Sequence, residues 1–394
     1  MGAVVLVHGV ICVLGAAKAF GWLEVNRLTH PIGPLAGALW LVAAVLAVVA
    51  AVLIVRGSPS WWWVVAAAAA VTSQAAIFTS WDDAKAGTAV NVVLVLAAVQ
   101  GFAALGPRSF AAEWDRRAEA ALAAVPASTD VVTEADLLEL PPPVARYVRR
   151  SGAVGKPRVT SFAATVHGRI RSGPADAWMP FTGKQLNTYG EQPQRLFFLH
   201  ATRSGLPITV FHVFDETSAS MRGKALSLVP VLDASGPEMD RGETVTLFND
   251  LAVFAPAALV DVPVEWEPVD GSRVRGTFRK GAQTVTAELV FGADGDLVDF
   301  VSDDRLRASA DGTSFDRMRW NTPLSEYADV RGRRVAVAGE GKWDAPEPEG
   351  HFTYIEFFVD DIVYNVRAPG VTEGRAEGGP GARSAHEPAR PGVA

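Results

Sequence analysis

Hydrophobic side chains run almost unbroken in four stretches of the first 106 residues, approximately 3–22, 34–55, 60–81 and 87–106. A helix of about 20 apolar residues spans the roughly 30 Å hydrocarbon core of a bilayer. Short polar connectors separate the stretches: Glu24 to Gly33, Arg56-Gly57-Ser58-Pro59 and Asp82-Asp83-Ala84-Lys85. Trp22, Trp61, Trp62, Trp63 and Trp81 stand at their ends, where an indole favours the headgroup level. The pattern predicts a four-helix transmembrane domain over 1–106. No basic residue precedes the first stretch, so it reads as a retained anchor rather than a cleaved signal peptide. In the last connector, Asp83 and Thr88 are candidates to cap the following helix.

The period then changes twice. An alanine-rich segment, Ala111 to Val125, carries Glu113, Asp115, Arg116, Arg117 and Glu119 at helical pairing distances and predicts a helical linker over 107–132. Thr133-Glu134-Ala135-Asp136 resembles a capping box, and Pro141-Pro142-Pro143 precedes a further short helix over Val144–Arg150. From Arg158 onward apolar positions alternate. Val274 and Phe278 share one face of Arg273–Arg279, and Val285, Ala287, Leu289 and Phe291 share one face of Thr284–Phe291. Similar alternation marks Phe162–Ile170, Leu196–Thr202, Pro207–Phe214, Ala219–Leu228, Leu297–Asp303, Phe315–Trp320, Arg333–Gly339 and Phe352–Val366. So many strands in hairpin succession predict an α+β soluble domain over 133–367, built on a mostly antiparallel sheet curved into a half-barrel or barrel. Glu243 to Leu259 lacks alternation and reads as an inserted helix broken by Pro256, a plug or lid for the concave face. The tail, 368–394, is rich in Gly, Pro, Ala and Glu and is expected to be disordered.

Charge sharpens this division. The chain has 36 basic and 43 acidic side chains, a net charge of −7, yet only seven charged residues fall before residue 107. The acidic balance and the lack of a basic stripe exclude a nucleic-acid partner. The single cysteine, Cys12, lies in an apolar run, which excludes a disulfide framework, a Cys-ligated zinc site and a cysteine nucleophile. Four spans put both termini on one side. Arg56, Arg108, Arg116 and Arg117 lie there, against Arg27, Lys85 and Lys18 on the other, which favours a cytoplasmic soluble domain in a multi-pass protein of the cell membrane.

Motifs of known chemistry are missing. There is no Gly-x-Ser-x-Gly elbow, Walker loop or dinucleotide fingerprint, and the seven histidines show no pair at metal-ligand spacing, so neither cofactor nor metal is expected. A hairpin can bring His200 and His212 together, more readily as an ordinary pair than as a zinc site. Polar clusters remain. Glu238 and Asp240, with Asp303, Asp304 and Arg305, are the candidate catalytic groups, although carboxylates beside guanidinium groups more commonly tie loops to a sheet. Arg169 and Arg171 precede the apolar patch Trp178, Met179 and Phe181, a segment suited equally to lipid headgroups or to a docked turn.

His8-Gly9, Ala17-Lys18-Ala19-Phe20, His30-Pro31-Ile32-Gly33, the run from Ser73-Gln74 to Thr88, Gly168-Arg169-Ile170-Arg171, Trp178-Met179-Pro180-Phe181-Thr182, Gly236-Pro237-Glu238-Met239-Asp240 and Phe300 to Arg305 together resemble an uncharacterised, largely actinobacterial family of unknown function. That family has four transmembrane helices and a carboxy-terminal β-rich domain, and the resemblance supplies no activity. In the order of its elements the soluble domain is also distantly similar to lipoprotein-carrier half-barrels, which hold acyl chains on an apolar concave face. The leading expectation is a membrane-anchored binding module for a membrane lipid or other apolar small molecule. Arg169, Arg171, Trp178, Met179 and Phe181 would lie at its mouth, and Phe248 and Phe254 on its lid. The alternatives are an enzyme acting on a membrane-derived substrate through the Asp/Glu/Arg cluster, and a structural partner of another membrane protein.

Overall fold

Helices that are apolar on every side suit a lipid surround. In the computed structural model, which describes residues 1–26, 28–57, 59–125 and 128–367, the amino-terminal helices are α1 (Gly2–Ala19), α2 (Pro34–Arg56), α3 (Trp62–Phe78), the single turn α4 (Trp81–Ala84) and α5 (Thr88–Leu105). Arg27 and the tail, 368–394, lie outside the described residues. The helices meet through small residues that let backbones approach. A Cβ on Gly15 would sit 2.5 Å from the Trp40 ring, and one on Gly101 would sit 2.7 Å from Trp62. Among the described residues three helical stretches are long and apolar enough to cross a membrane, Gly2–Ala19, Pro34–Arg56 and Trp81–Ala123. The third of the four expected spans is instead a shorter apolar helix, Trp62–Phe78. The third stretch forms a helix of 17 residues, because the chain tightens into a turn at Thr79 and Ser80, whose amides bond Ala76 and Ile77. Asp83 does not cap a helix. It accepts from the Thr29 amide (2.6 Å), the Thr29 hydroxyl (2.8 Å) and the His30 amide (3.3 Å), and so pins the connector between α1 and α2.

Helix α6 (Phe110–Ala123) follows, capped by Ser109, whose hydroxyl accepts from the Ala112 amide at 3.1 Å. Thr133 and Asp136 exchange capping hydrogen bonds ahead of α7 (Pro142–Arg150). A meander then begins with β1 (Ser161–Ile170), β2 (Met179–Thr188), β3 (Gln194–Arg203), β4 (Leu206–Phe214), β5 (Ala219–Ala225) and β6 (Val229–Ser235). Pro237 at the first helical position starts α8 (Pro237–Phe254), six residues before the sequence pattern suggests. The return comprises β7 (Val264–Pro268), β8 (Arg273–Lys280), β9 (Gln283–Phe291), β10 (Leu297–Ser302), the short hairpin β11 (Leu306–Ala308) and β12 (Phe315–Arg317), β13 (Arg319–Asn321), β14 (Leu324–Val330), β15 (Arg333–Asp344) and β16 (His351–Tyr364).

All but β11 and β12 join one antiparallel sheet, ordered β6-β5-β4-β3-β2-β1-β16-β15-β13-β10-β9-β8-β7, with β14 paired to β15. The predicted alternation fixes register: Val274 faces Leu289 and Phe278 faces Val285. The sheet is an open half-barrel and not a closed one, because its edges β6 and β7 do not pair. Helix α8 fills the concave side instead, packing Val245, Leu247, Phe248, Leu251 and Ala252 into the main core. The β11–β12 hairpin straps the same side, where the Asp233 amide of β6 donates to Asp311 O at 3.2 Å. Helix α6 covers the convex face, with Phe110, Trp114 and Ala118 against Leu186, Leu196, Phe198, Phe211 and Val213.

Candidate functional site

Strand alternation leaves the opposite face of β2, β3 and β4 directed inward. There Phe181 and Gln185, then Arg195, Phe197, Leu199 and Ala201, then Ile208, Val210 and His212 line a cavity of about 890 Å³, in the upper part of the roughly 300–1,000 Å³ of small-molecule sites. The lining is graded. Cross-strand neighbours Ala201 and Ile208, and Leu199 and Val210, are apolar, whereas at the other end Phe197 faces His212 and Asn187 faces Arg195. Val166, Ile170, Met179, Ile355 and Phe357 extend the apolar wall. The facing side of α8 is polar, since a period of three to four residues presents Glu243, Thr246, Asn249 and Asp250 to the cavity.

These polar side chains form one buried cluster. Arg195 donates from Nε to Asp250 Oδ2 at 2.6 Å and from Nη1 to Glu243 Oε2 at 2.9 Å. Asp250 Oδ2 also accepts from Gln185 Nε2 (2.7 Å) and Asn187 Nδ2 (3.2 Å). Glu243 Oε1 lies 3.6 Å from Arg305 Nη2 and 3.8 Å from His212 Nδ1. The Glu243 and Asp250 side chains are 1% and 5% exposed, so each carboxylate depends on its partners to offset lost hydration. Burial pushes the Glu243 carboxyl up, but Arg195, His212 and Arg305 outweigh it and hold the group well below the usual range. Burial raises Asp250 against the pull of Arg195, and lowers His212 more than Glu243 raises it. Glu243 is therefore the firmer anion, and burial disfavours the charged form of His212. The Arg305 guanidinium lies over Trp320 (5.5 Å) and Trp343 (6.0 Å). Arg305 Nε and His212 Nδ1, both buried, find no hydrogen-bond partner among the described residues, which leaves polar capacity at this end of the cavity.

The residues singled out in the sequence are dispersed around this centre. Met179, Phe181, Phe254, Arg171, Glu238 and Arg305 line the cavity. Phe248 is fully buried on the far side of α8, against Phe278, Phe300 and Trp266. Trp178 lies between the Arg169 and Arg171 guanidinium groups, at 4.5 and 4.4 Å, and Arg169 pairs with Glu356 at 2.6 Å. Asp240 accepts from the Ala219 amide at 2.6 Å. Asp303 pairs with Arg319 at 3.1 Å, and Asp304 pairs with Arg241 and Arg317 at 2.5 and 2.6 Å. The five acidic-cluster candidates thus do not converge, for only Glu238 and Arg305 reach the cavity. His200 and His212 are out of register, opposite Thr209 and Phe197. Among the described residues no group of three or more His, Cys, Asp or Glu side chains is arranged to hold a metal ion.

Sequence reasoning missed Gln185, Asn187 and Arg195, and considered His212 only as a partner of His200. Their signal was parity: each is polar at an inward position at the same end of three consecutive strands, whose remaining inward positions are mostly apolar.

An antiparallel half-barrel wrapped on a helix, with a cavity graded from apolar to charged, is the class that fold and site define. The chain belongs to a family of unknown function (DUF6544), whose sequence model matches residues 130–357, more than half of its length. Solved structures similar to it include a DUF1329 family protein from Desulfovibrio piger, at 13% identity and a TM-score of 0.33, covering 57% of this chain and 92% of that one. A putative outer membrane lipoprotein-sorting protein domain from Vibrio parahaemolyticus matches at 9% identity and a TM-score of 0.30, covering 52% and 85%. A LolA superfamily protein from Nitrosomonas europaea matches at 13% identity and a TM-score of 0.28, covering 59% and 93%. No curated protein matches the chain.

Proposed function

We propose that this protein is a membrane-anchored binding module whose half-barrel holds an amphiphile, a lipid or another largely apolar molecule with one compact polar group. The observation that carries the reading is the graded cavity of about 890 Å³. Apolar chain would lie against Phe181, Leu199, Ile208 and Val210, with Met179 and Phe254 beside it and Arg171 at the mouth. The polar group would meet Arg195, His212 and Arg305. Helix α3, at 17 residues, is about 25 Å long. With the tryptophans at its start it would serve as a fourth span where the bilayer thins locally to its length. The basic residues on the side of the termini favour a cytoplasmic half-barrel.

Native mass spectrometry of the intact protein released from detergent tests the binding reading. The wild type is expected to retain a species of defined mass, and Leu199→Trp, which fills the apolar wall, is expected to lose it. A wild-type protein that flies empty, or a variant that retains the same species equally, would overturn the proposal.

A further inference from the structure

Five apolar side chains stand exposed together at one end of the half-barrel: Leu206 beginning β4, and Leu226, Leu228, Val229 and Val231 in and after the β5–β6 turn. The two turns touch, as the Leu226 amide donates to Pro207 O at 2.8 Å. Leu226 and Ser227 hold φ angles of 53° and 60°, the left-handed region where a hairpin turn ordinarily takes Asn or Gly. A leucine there keeps an apolar side chain at the tip against its own backbone preference.

The rim of the cavity lies at this same end. Ile170 ends β1, Met179 starts β2, Ala201 and Arg203 end β3, and Ile208 and Val231 lie near the starts of β4 and β6, and all of them line the cavity. The path of the chain relates this end to the membrane helices. Helix α5 ends at Leu105 and α6 begins at Phe110, a step of at most roughly 17 Å. The Phe110 ring lies 4.5 Å from Lys224 Nζ, two residues before the exposed turn. From there α6 follows the strands to their opposite end. Arg117 pairs with Asp215 at the β4–β5 turn at 3.1 Å, and a Cβ on Gly190, in the β2–β3 turn, would sit 3.6 Å from Val125. Arg108 and Arg203, both exposed, add positive charge around the tips, as an anionic headgroup layer favours.

We infer that the cavity opens toward the bilayer that the protein's own helices cross, and that the β3–β4 and β5–β6 hairpin tips seat in its interface. An amphiphile would then pass between leaflet and cavity without traversing water. The inference rests on the membrane-spanning reading of α1, α2 and α5, and not on which molecule the cavity holds.

The test uses the full chain with Cys12→Ala and one new labelling site, Leu228→Cys at the tip or Glu216→Cys in the β4–β5 turn. Each carries an environment-sensitive fluorophore and is reconstituted in vesicles of phosphatidylethanolamine and phosphatidylglycerol. A fraction of the lipid bears a spin label near the top of its acyl chain. The label at 228 is expected to emit to the blue and to be quenched several-fold more than the label at 216. Equal quenching, or stronger quenching at 216, would overturn the inference, and Val229→Cys repeats the measurement if Leu228→Cys fails to fold. Quenching at 228 in a protein that retains no ligand would remove the binding proposal and leave this one standing.

Discussion

Arg195 sits between two buried carboxylates that have few other cationic neighbours. Replacing it with Met keeps much of its volume but strands Glu243 and Asp250, so Arg195→Met is expected to cost about 4 kcal/mol in denaturant unfolding. Loss of under about 1 kcal/mol would mean that water or Arg305 compensates. His212 adds a pH dependence of defined sign. Burial lowers its pKa from the ordinary 6.5, so below that value the unfolded chain binds a proton that the folded chain refuses, and stability falls as the medium is acidified. His212→Gln is expected to flatten the slope of the unfolding midpoint just below pH 6.5, the ordinary value. His200, which burial also lowers, retains a residual slope of the same sign. At this scale the chain was legible as a list of polar residues and illegible as a cluster. Glu243 and Arg195 are 48 residues apart, and nothing local couples them.

Helix α8 is amphipathic in an unusual sense, with one side in a hydrophobic core and its polar side facing a cavity rather than solvent. Phe248 and Phe254, paired in the sequence reading as lid residues, part company here. Phe248→Ala removes a ring packed against Phe278 and Phe300 and is expected to cost about 3–5 kcal/mol in unfolding, while leaving the cavity-lining groups in place and the bound mass unchanged for the fraction that folds. Phe254→Ala, on the lining, is expected to change the retained species. Strand β2 shows why one element escaped the pattern. Its inward positions are Phe181, Gly183, Gln185 and Asn187, so the strand that builds the floor of the site lacks the apolar alternation by which strands are recognised. The β5–β6 turn was read through as strand, since Leu226 carries none of the composition of a turn.

The whole molecule joins helices suited to lipid to a half-barrel through α6, which is bonded to the sheet along its length. Sidedness belongs to this scale. A membrane-impermeant maleimide applied to intact cells expressing Cys12→Ala/Glu216→Cys is expected to label the protein only after lysis, and labelling of intact cells would place the half-barrel outside the cytoplasm. Hydropathy and period, which are local properties of consecutive residues, determined the division into an apolar helical part and a β-rich part, the antiparallel meander and the inserted helix. Tertiary structure alone decided that the sheet stays open, that α3 ends early at Thr79, that Asp303 is taken up by an exposed ion pair and Asp304 by buried ones, and that Arg195, His212, Glu243 and Asp250 share one site. Those outcomes depend on strand order and on which face of α8 meets which strands. Contacts of long sequence separation set both, and a reading of neighbouring residues does not contain them.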